Sequence, residues 1–342
     1  MQLLSTAASV SLALIIATAL GISAAAAAAP PPIKVGIIGL DAHAVPWTQI
    51  VNSPQAKSPL SDMKIVAAYP SFSKDIPFSS DNIQKNIEAM RGMGVQITDS
   101  IESLVQKVDA VMVLSIDGRP HPEQARPVWA TKKPLYVDKP VAASLVEIVE
   151  IYRQAQQSGT PLFSSSSLRY SEGIAGMRKD PKIGRVLGCD AYGNNVSILP
   201  GHPDLFYYGI HGCEMLFTIM GPGCKTVARV NTDTADLAAG VWEDGRVGTF
   251  RGILKGRGGF GATVFGDKGI APAGKFEGYE PLLVEIAKFV RTGKAPVTAE
   301  QTLEIYAFME GADESKRQGG RPVSLREILE KAQKQADARG KK

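Results

Sequence analysis

The chain has 342 residues, which at roughly 150 residues per domain leads us to expect two domains, and 38 Lys and Arg against 34 Asp and Glu leave a formal charge of +4. So small a surplus excludes the basic stripe of a nucleic-acid-binding protein, and 44% hydrophobic with 21% charged residues excludes a disordered or fibrous chain. Every Lys, Arg, Asp and Glu lies at or after Lys34, so the composition describes an uncharged leader joined to a body of ordinary soluble character.

The leader runs through an apolar core over residues 10–22 into six alanines and three prolines. An apolar core followed by small residues predicts a secretory signal over residues 1–29, cleaved on export to the periplasm or the exterior. An uncleaved membrane anchor is the alternative, since about 20 apolar residues span a bilayer. The leader has no twin arginine, no positive segment ahead of its core and no Cys to accept a lipid.

Past the prolines, residues 33–38 form a β-rich run ending at Gly39, as a buried parallel strand does. Next come a strand over 64–69, a helix over 82–91, a strand near 95–98 and a short helix capped by Asp99 and Ser100. The strongly apolar strand 110–115, another helix and the strand 134–138 follow. Ser144 then opens a helix with apolar Leu145, Ile148, Ile151 and Tyr152, ending near Gly159. This alternation predicts an α/β fold, a Rossmann-type doubly wound parallel sheet over residues 33–158.

After Ser167 the alternation stops. Strands over 186–192, 226–230, 237–242 and 246–253, with turns at Asp244-Gly245 and 258–261, predict an α+β domain with a mainly antiparallel open sheet over residues 159–325. Helices are expected over 279–292, 298–317 and 324–336, and residues 326–342 read as a charged C-terminal end, solvated from Lys331 on. Three cysteines, Cys189, Cys213 and Cys224, make no disulfide framework; Cys213 and Cys224 could pair after export, but buried free thiols are the expectation. No Cys-x-x-C or His cluster suggests a metal.

Ligands of parallel sheets bind at the carboxyl ends of the strands. The first turn reads Gly36-Ile-Ile-Gly39-Leu40-Asp41-Ala-His43-Ala44. Against G-x-G-x-x-G/A, Gly39 and Ala44 fit the ends, but Asp41 stands at the middle glycine, where a carboxylate repels a pyrophosphate. A tight turn without a nucleotide reads equally well. The second strand ends in Tyr69-Pro-Ser71-Phe-Ser-Lys74 with no acid for ribose hydroxyls, which suits the 2′-phosphate of NADP or simply a solvated loop.

Residues 108–115, His121 and the run Lys133-Pro-Leu-Tyr-Val-Asp138-Lys139-Pro140 resemble the Gfo/Idh/MocA family, named for glucose–fructose oxidoreductase and inositol dehydrogenase. Its members carry a strand, a loop with a histidine, a helix and a strand ending in Glu-Lys-Pro, for which Asp138-Lys139-Pro140 stands here. Ser167-Leu-Arg169-Tyr170, Gly209-Ile-His211-Gly-Cys-Glu214 and Gly266-Asp-Lys-Gly269 continue the resemblance in the family's order. It implies NAD or NADP as cofactor, with Gly36, Gly39, Leu40, Asp41, Ser71, Ser115, His121 and Asp138 at its site. It also implies Lys139 and His211 as the catalytic pair.

Chemistry argues alongside the resemblance. A lysine at the carboxyl end of a strand can polarise a hydroxyl or carbonyl, and an imidazole suits proton removal at neutral pH. Where the family has an aspartate four residues before the histidine, this chain has Tyr207, and Glu214 at i+3 is placed to orient the ring instead. The aromatic segment around His202 and Tyr207 suits a sugar, whose apolar face stacks on rings. Arg169, His202, Tyr207 and Glu214 are thus the substrate candidates.

The expected function is an exported NAD(P)-dependent oxidoreductase acting on a hydroxyl or carbonyl of a sugar or polyol, with a tightly held cofactor. The partners expected are a small sugar-like molecule and further copies of the chain in a homo-oligomer. Two other readings stay open: a glycoside-cleaving enzyme using transient redox at a sugar carbon, and a non-catalytic sugar- or nucleotide-binding protein. Asp41, the missing acid after the second strand and Tyr207 all favour the last.

Overall fold

The computed structural model describes residues 30–195 and 198–340, so the expected signal over residues 1–29 lies outside the described residues. Strands and helices alternate as β1 (Ile33–Ile38), α1 (Ala44–Val51), β2 (Met63–Tyr69), α2 (Pro77–Ser80), α3 (Ile83–Gly92), β3 (Gln96–Ile97), α4 (Ile101–Lys107), β4 (Ala110–Val113), α5 (His121–Trp129), β5 (Leu135–Val137), α6 (Leu145–Ser158) and β6 (Leu162–Phe163). Local signals set the helix ends. Ser100 and Ser144 accept the N–H groups of Ser103 and Glu147 to cap α4 and α6, and Gly159 closes α6 in the left-handed region.

The six strands pair in parallel in the order β3-β2-β1-β4-β5-β6. That order reverses direction between β1 and β4, which opens a crevice beyond their carboxyl ends. β4 and β5 are buried along their whole length, which is why they read as unbroken apolar runs.

The second half contains α7 (Glu172–Ala175), β7 (Val186–Asn194), α8 (Gly209–Met220), β8 (Cys224–Asn231), β9 (Ala235–Trp242), β10 (Val247–Ile253), β11 (Gly261–Gly266), β12 (Ile270–Ala273), α9 (Glu280–Thr292), α10 (Ala299–Arg317), β13 (Val323–Ser324) and α11 (Leu325–Arg339). Its seven strands run β12-β11-β7-β10-β9-β8-β13, antiparallel except for the β7–β10 pair. β11 and β12 escape sequence reading because small residues and a proline replace the apolar alternation, while the Gly266–Gly269 turn that joins them is visible in the motif.

Two packing results depart from the sequence expectation. α9 lies far along the chain, yet its Leu282, Leu283, Ile286 and Phe289 share a core with Val35, Ile37 and Phe163 of the first sheet and Trp47 of α1. The terminal segment is helical: α11 runs to Arg339 and buries Leu325, Ile328, Ala332 and Ala336 in the core that holds α6 and α10, while its charged side chains stay at the surface. Its charges work on that surface too, Arg153 pairing Asp337 at 2.9 Å. Cys189, Cys213 and Cys224 are buried free thiols. No described helix is long and apolar enough to cross a membrane.

Candidate active site

Gly39 leaves β1 with φ +88°, and a Cβ there would stand 2.5 Å from the Ser115 nitrogen, so only glycine fits this turn. Gly36 is likewise confined, by Leu104 from α4. Asp41 does not sit as a free carboxylate in the turn. It is buried, and its Oδ2 accepts the Ile116 N–H at 2.9 Å, tying the β1 turn to the loop after β4. Burial raises its carboxyl above the ordinary range, with the Ile116 bond working against that rise. The N–H groups of Asp41, Ala42 and His43, just ahead of α1, have no hydrogen-bond partner among the described residues.

That arrangement fits a dinucleotide. The glycine turn is tight, three N–H groups are unspent at a helix start, and the carboxylate that should repel phosphate is engaged inside the fold. The remaining cofactor candidates lie beneath this surface and brace it. The Leu40 N–H is taken by the Ser71 carbonyl at 3.2 Å, while Gln124 Nε2 donates to both Ser71 Oγ and Ser115 Oγ at 2.8 Å. His121 is fully buried, with its nitrogens 3.1 and 3.0 Å from the Val141 and Ser115 carbonyls, so it holds two loops together.

The chemistry-bearing groups meet one strand further on. Lys139 follows β5 with 7% exposure, and its Nζ lies 5.2 and 5.9 Å from the ring centres of Tyr207 and Tyr208. No described residue forms a hydrogen bond or ion pair with that ammonium. Burial lowers its pKa, and the neighbouring Asp138 opposes the shift. Burial alone would raise the Asp138 carboxyl, but His43 and Lys139 hold it at about 2. Its Oδ2 lies 2.6 Å from His43 Nδ1, and its Oδ1 accepts the Tyr136 hydroxyl at 3.2 Å. Asp138 therefore spends its oxygens on side chains of the fold.

His211, in the first turn of α8, has its Nδ1 2.7 Å from Ser166 Oγ. Burial first, and then the charges of Lys139 and His43, drive its pKa well below the usual value, so the ring is neutral. Glu214 does not orient that ring directly, contrary to the i+3 expectation. It accepts the Ser166 N–H at 2.7 Å, Arg169 Nε at 2.6 Å and the Ser165 hydroxyl, and so holds the serine turn on which His211 rests. Arg169 is correspondingly paired inside the fold. His202 is spent as well: its Nε2 accepts the Gly118 N–H, and its Nδ1 meets the Pro200 carbonyl, both at 3.0 Å. Leu199 and Tyr207 pack with Ile76 and Ile116, so this segment covers the sheet's carboxyl end.

Ser166, Phe260 and Tyr279 were not legible as site residues, whereas Tyr208 lies in the aromatic segment that reads as suiting a sugar. His43 stands in the glycine motif, but no residue near it in sequence supplies the partner that would single it out. The rings of Tyr208 and Phe260 lie 6.0 and 5.7 Å from His211, and Tyr279 lies 5.1 Å from His43.

Residues 33–165 match the family model described as the oxidoreductase family with an NAD-binding Rossmann fold, GFO_IDH_MocA. No curated protein matches the chain. Among solved structures, the fold is similar to scyllo-inositol dehydrogenase from Lactobacillus casei with bound NAD(H) and scyllo-inositol, at 16% identity and TM-score 0.69, covering 86% of this chain and 99% of that one. Myo-inositol dehydrogenase from the same organism, in complex with NAD(H) and myo-inositol, matches at 16% and 0.69, covering 86% and 96%. An oxidoreductase from Agrobacterium radiobacter in complex with NAD+, L-tartaric acid and magnesium matches at 17% and 0.68, covering 87% and 99%. Residues 33–165 are thus similar to the Gfo/Idh/MocA family of NAD-binding Rossmann oxidoreductases.

Proposed function

We propose that this oxidoreductase acts on a hydroxyl or carbonyl carbon of a sugar or polyol, with NAD or NADP as its redox partner. The observation that carries the reading is the meeting of Lys139, His211 and the rings of Tyr207, Tyr208 and Phe260 at the carboxyl end of the Rossmann sheet. When bound, the nicotinamide supplies the acceptor or donor of a hydride. The β1 turn and the start of α1 would hold its phosphates.

The chain's own groups do the rest. The Lys139 ammonium, without an internal partner, is available to hold the reacting oxygen and to stabilise negative charge on it. His211, kept neutral, presents its second nitrogen as a hydrogen-bonding group. Tyr207, Tyr208, Phe260 and Tyr279 offer faces on which sugar C–H groups stack. The inositol-bound neighbours support a polyol over a smaller alcohol. The uncharged leader supports export, and an exported enzyme of this kind must retain its cofactor tightly.

The test is to purify the full chain, denature it and assay the supernatant for nicotinamide by absorbance and mass spectrometry. Cofactor release, together with reduction driven by polyols in a substrate panel, is the expected result. No cofactor, and no thermal shift on adding NAD or NADP, would overturn the reading. Product analysis on an aryl glycoside separates simple oxidation from cleavage.

A further inference from the structure

We propose that His43, anchored by Asp138, is the residue that takes the proton from the substrate hydroxyl during oxidation and returns it during reduction. This rests on the oxidoreductase reading and adds an acid–base residue to it.

The geometry is that of a carboxylate-backed imidazole. Asp138 is buried, and the Tyr136 hydroxyl holds its second oxygen, so the carboxylate cannot turn away from His43. A carboxylate 2.6 Å from Nδ1 keeps the proton on that nitrogen and leaves the lone pair on Nε2. The ring is fixed on two sides, stacked on Trp47 at 4.7 Å and 8° and against the Tyr279 ring at 5.1 Å. Nε2 has no partner among the described residues, and the side chain keeps 13% exposure. The groups around it come from separate elements: Asp138 and Lys139 after β5, His211 on α8, Tyr279 at the start of α9, and Asp41 in its own turn.

The other three histidines are less suited. His121 and His202 have both nitrogens engaged, largely by main-chain groups, and His211 rests on a serine hydroxyl with no carboxylate. In the oxidation step the substrate O–H bond breaks and its proton goes to Nε2. The oxygen electron pair forms the C=O bond as the C–H electron pair leaves to the oxidised nicotinamide. Asp138, a positioning residue, stabilises the imidazolium that results.

The first arm needs no cofactor. Untagged full-length chain is treated with diethyl pyrocarbonate at neutral pH and mapped by mass spectrometry. Adducts are expected at His43 well ahead of His121 and His202, at a rate at least fivefold lower in Asp138→Asn. An unmodified His43, or a rate indifferent to Asp138→Asn, overturns the proposal. In the second arm, His43→Gln should lower kcat about 100-fold, the scale of general acid–base catalysis, with cofactor affinity held within about twofold. Added imidazole should restore part of the rate to His43→Gly. A His43→Gln enzyme that keeps more than a tenth of kcat overturns the proposal. Asp138-dependent modification of His43 in a wild type that takes up no nicotinamide overturns the oxidoreductase reading and supports the proton-transfer pair.

Discussion

The Nζ of Lys139 lies 5.2 Å from the centre of the Tyr207 ring, so the end of β5 and the segment leading into α8 share one buried charge. An aromatic face can steady a desolvated ammonium without neutralising it, which leaves the charge available to a ligand oxygen. Tyr207→Phe should therefore change kcat/KM less than about threefold. Tyr207→Ala, losing a contact of about 2 kcal/mol, should lower it about 30-fold. Steady-state kinetics on the two variants checks this, and equal losses would show that the hydroxyl matters instead of the ring.

Ser166 links two otherwise separate groups, since its hydroxyl meets His211 Nδ1 and its N–H donates to Glu214. Ser166→Ala removes the first bond, together with the bond that the Ser166 hydroxyl accepts from the Leu168 N–H at 3.2 Å, and keeps the second. Urea denaturation should show a loss of about 2 kcal/mol, the net worth of two buried hydrogen bonds. The turnover number should fall about tenfold with cofactor affinity unchanged, because the imidazole loses its fixed orientation. A change confined to cofactor affinity would argue that His211 belongs to the nucleotide end of the cleft.

Gly39→Ala tests the β1 turn. The added Cβ meets Ser115 backbone atoms at 2.5 and 2.8 Å while the φ of +88° is already strained for alanine. Backbone cannot yield as a side-chain tip can, so a stability loss of about 3 kcal/mol is expected. Added NAD or NADP should give no thermal shift. A stable variant that still binds nucleotide would place the phosphate site elsewhere.

The Asp138 carboxyl gives a pH dependence with a definite sign. Burial opposes ionisation, but His43 and Lys139 hold the folded value at about 2, against about 3.9 in an unfolded chain. A depressed carboxyl contributes stability that is present above the unfolded value and lost as pH falls through the folded one. Relative to Asp138→Asn, wild type should lose about 1 kcal/mol between pH 6 and pH 3, and roughly 2 kcal/mol by pH 2. Urea titrations of both proteins at these pH values measure the difference, and a constant gap would refute the coupling of the Asp138 carboxyl to its neighbours.

Much of the fold was legible because its signals are local. The apolar run 110–115, the serine caps and the glycine stops each depend on neighbours within a few residues, and they place β4, α4 and α6 to within two residues. β11 and β12 were not legible, because strands of small residues gain their burial only from β7 beside them. α9 shows the same limit in packing: its apolar stripe was plain, but nothing in the stripe tells which sheet will cover it.

The site divides in the same way. Lys139 and His211 could be picked out because each sits in a short motif at the end of one element. Asp41 looked like an obstacle to phosphate because its partner, the Ile116 N–H, is 75 residues away. Glu214 pointed to His211 by helical spacing, yet the fold interposes Ser166 between them. His43 carried no message until the order β1-β4-β5 set it against Asp138, 95 residues along the chain.

Sequence alone determined the uncharged leader, the Rossmann alternation, the glycine turn and the lysine at the end of β5, since each is written in a periodicity or a short run. Tertiary structure decided which carboxylates are spent and which imidazoles are backed. Those outcomes turn on distances of under 3 Å between side chains that only the closed sheet brings together.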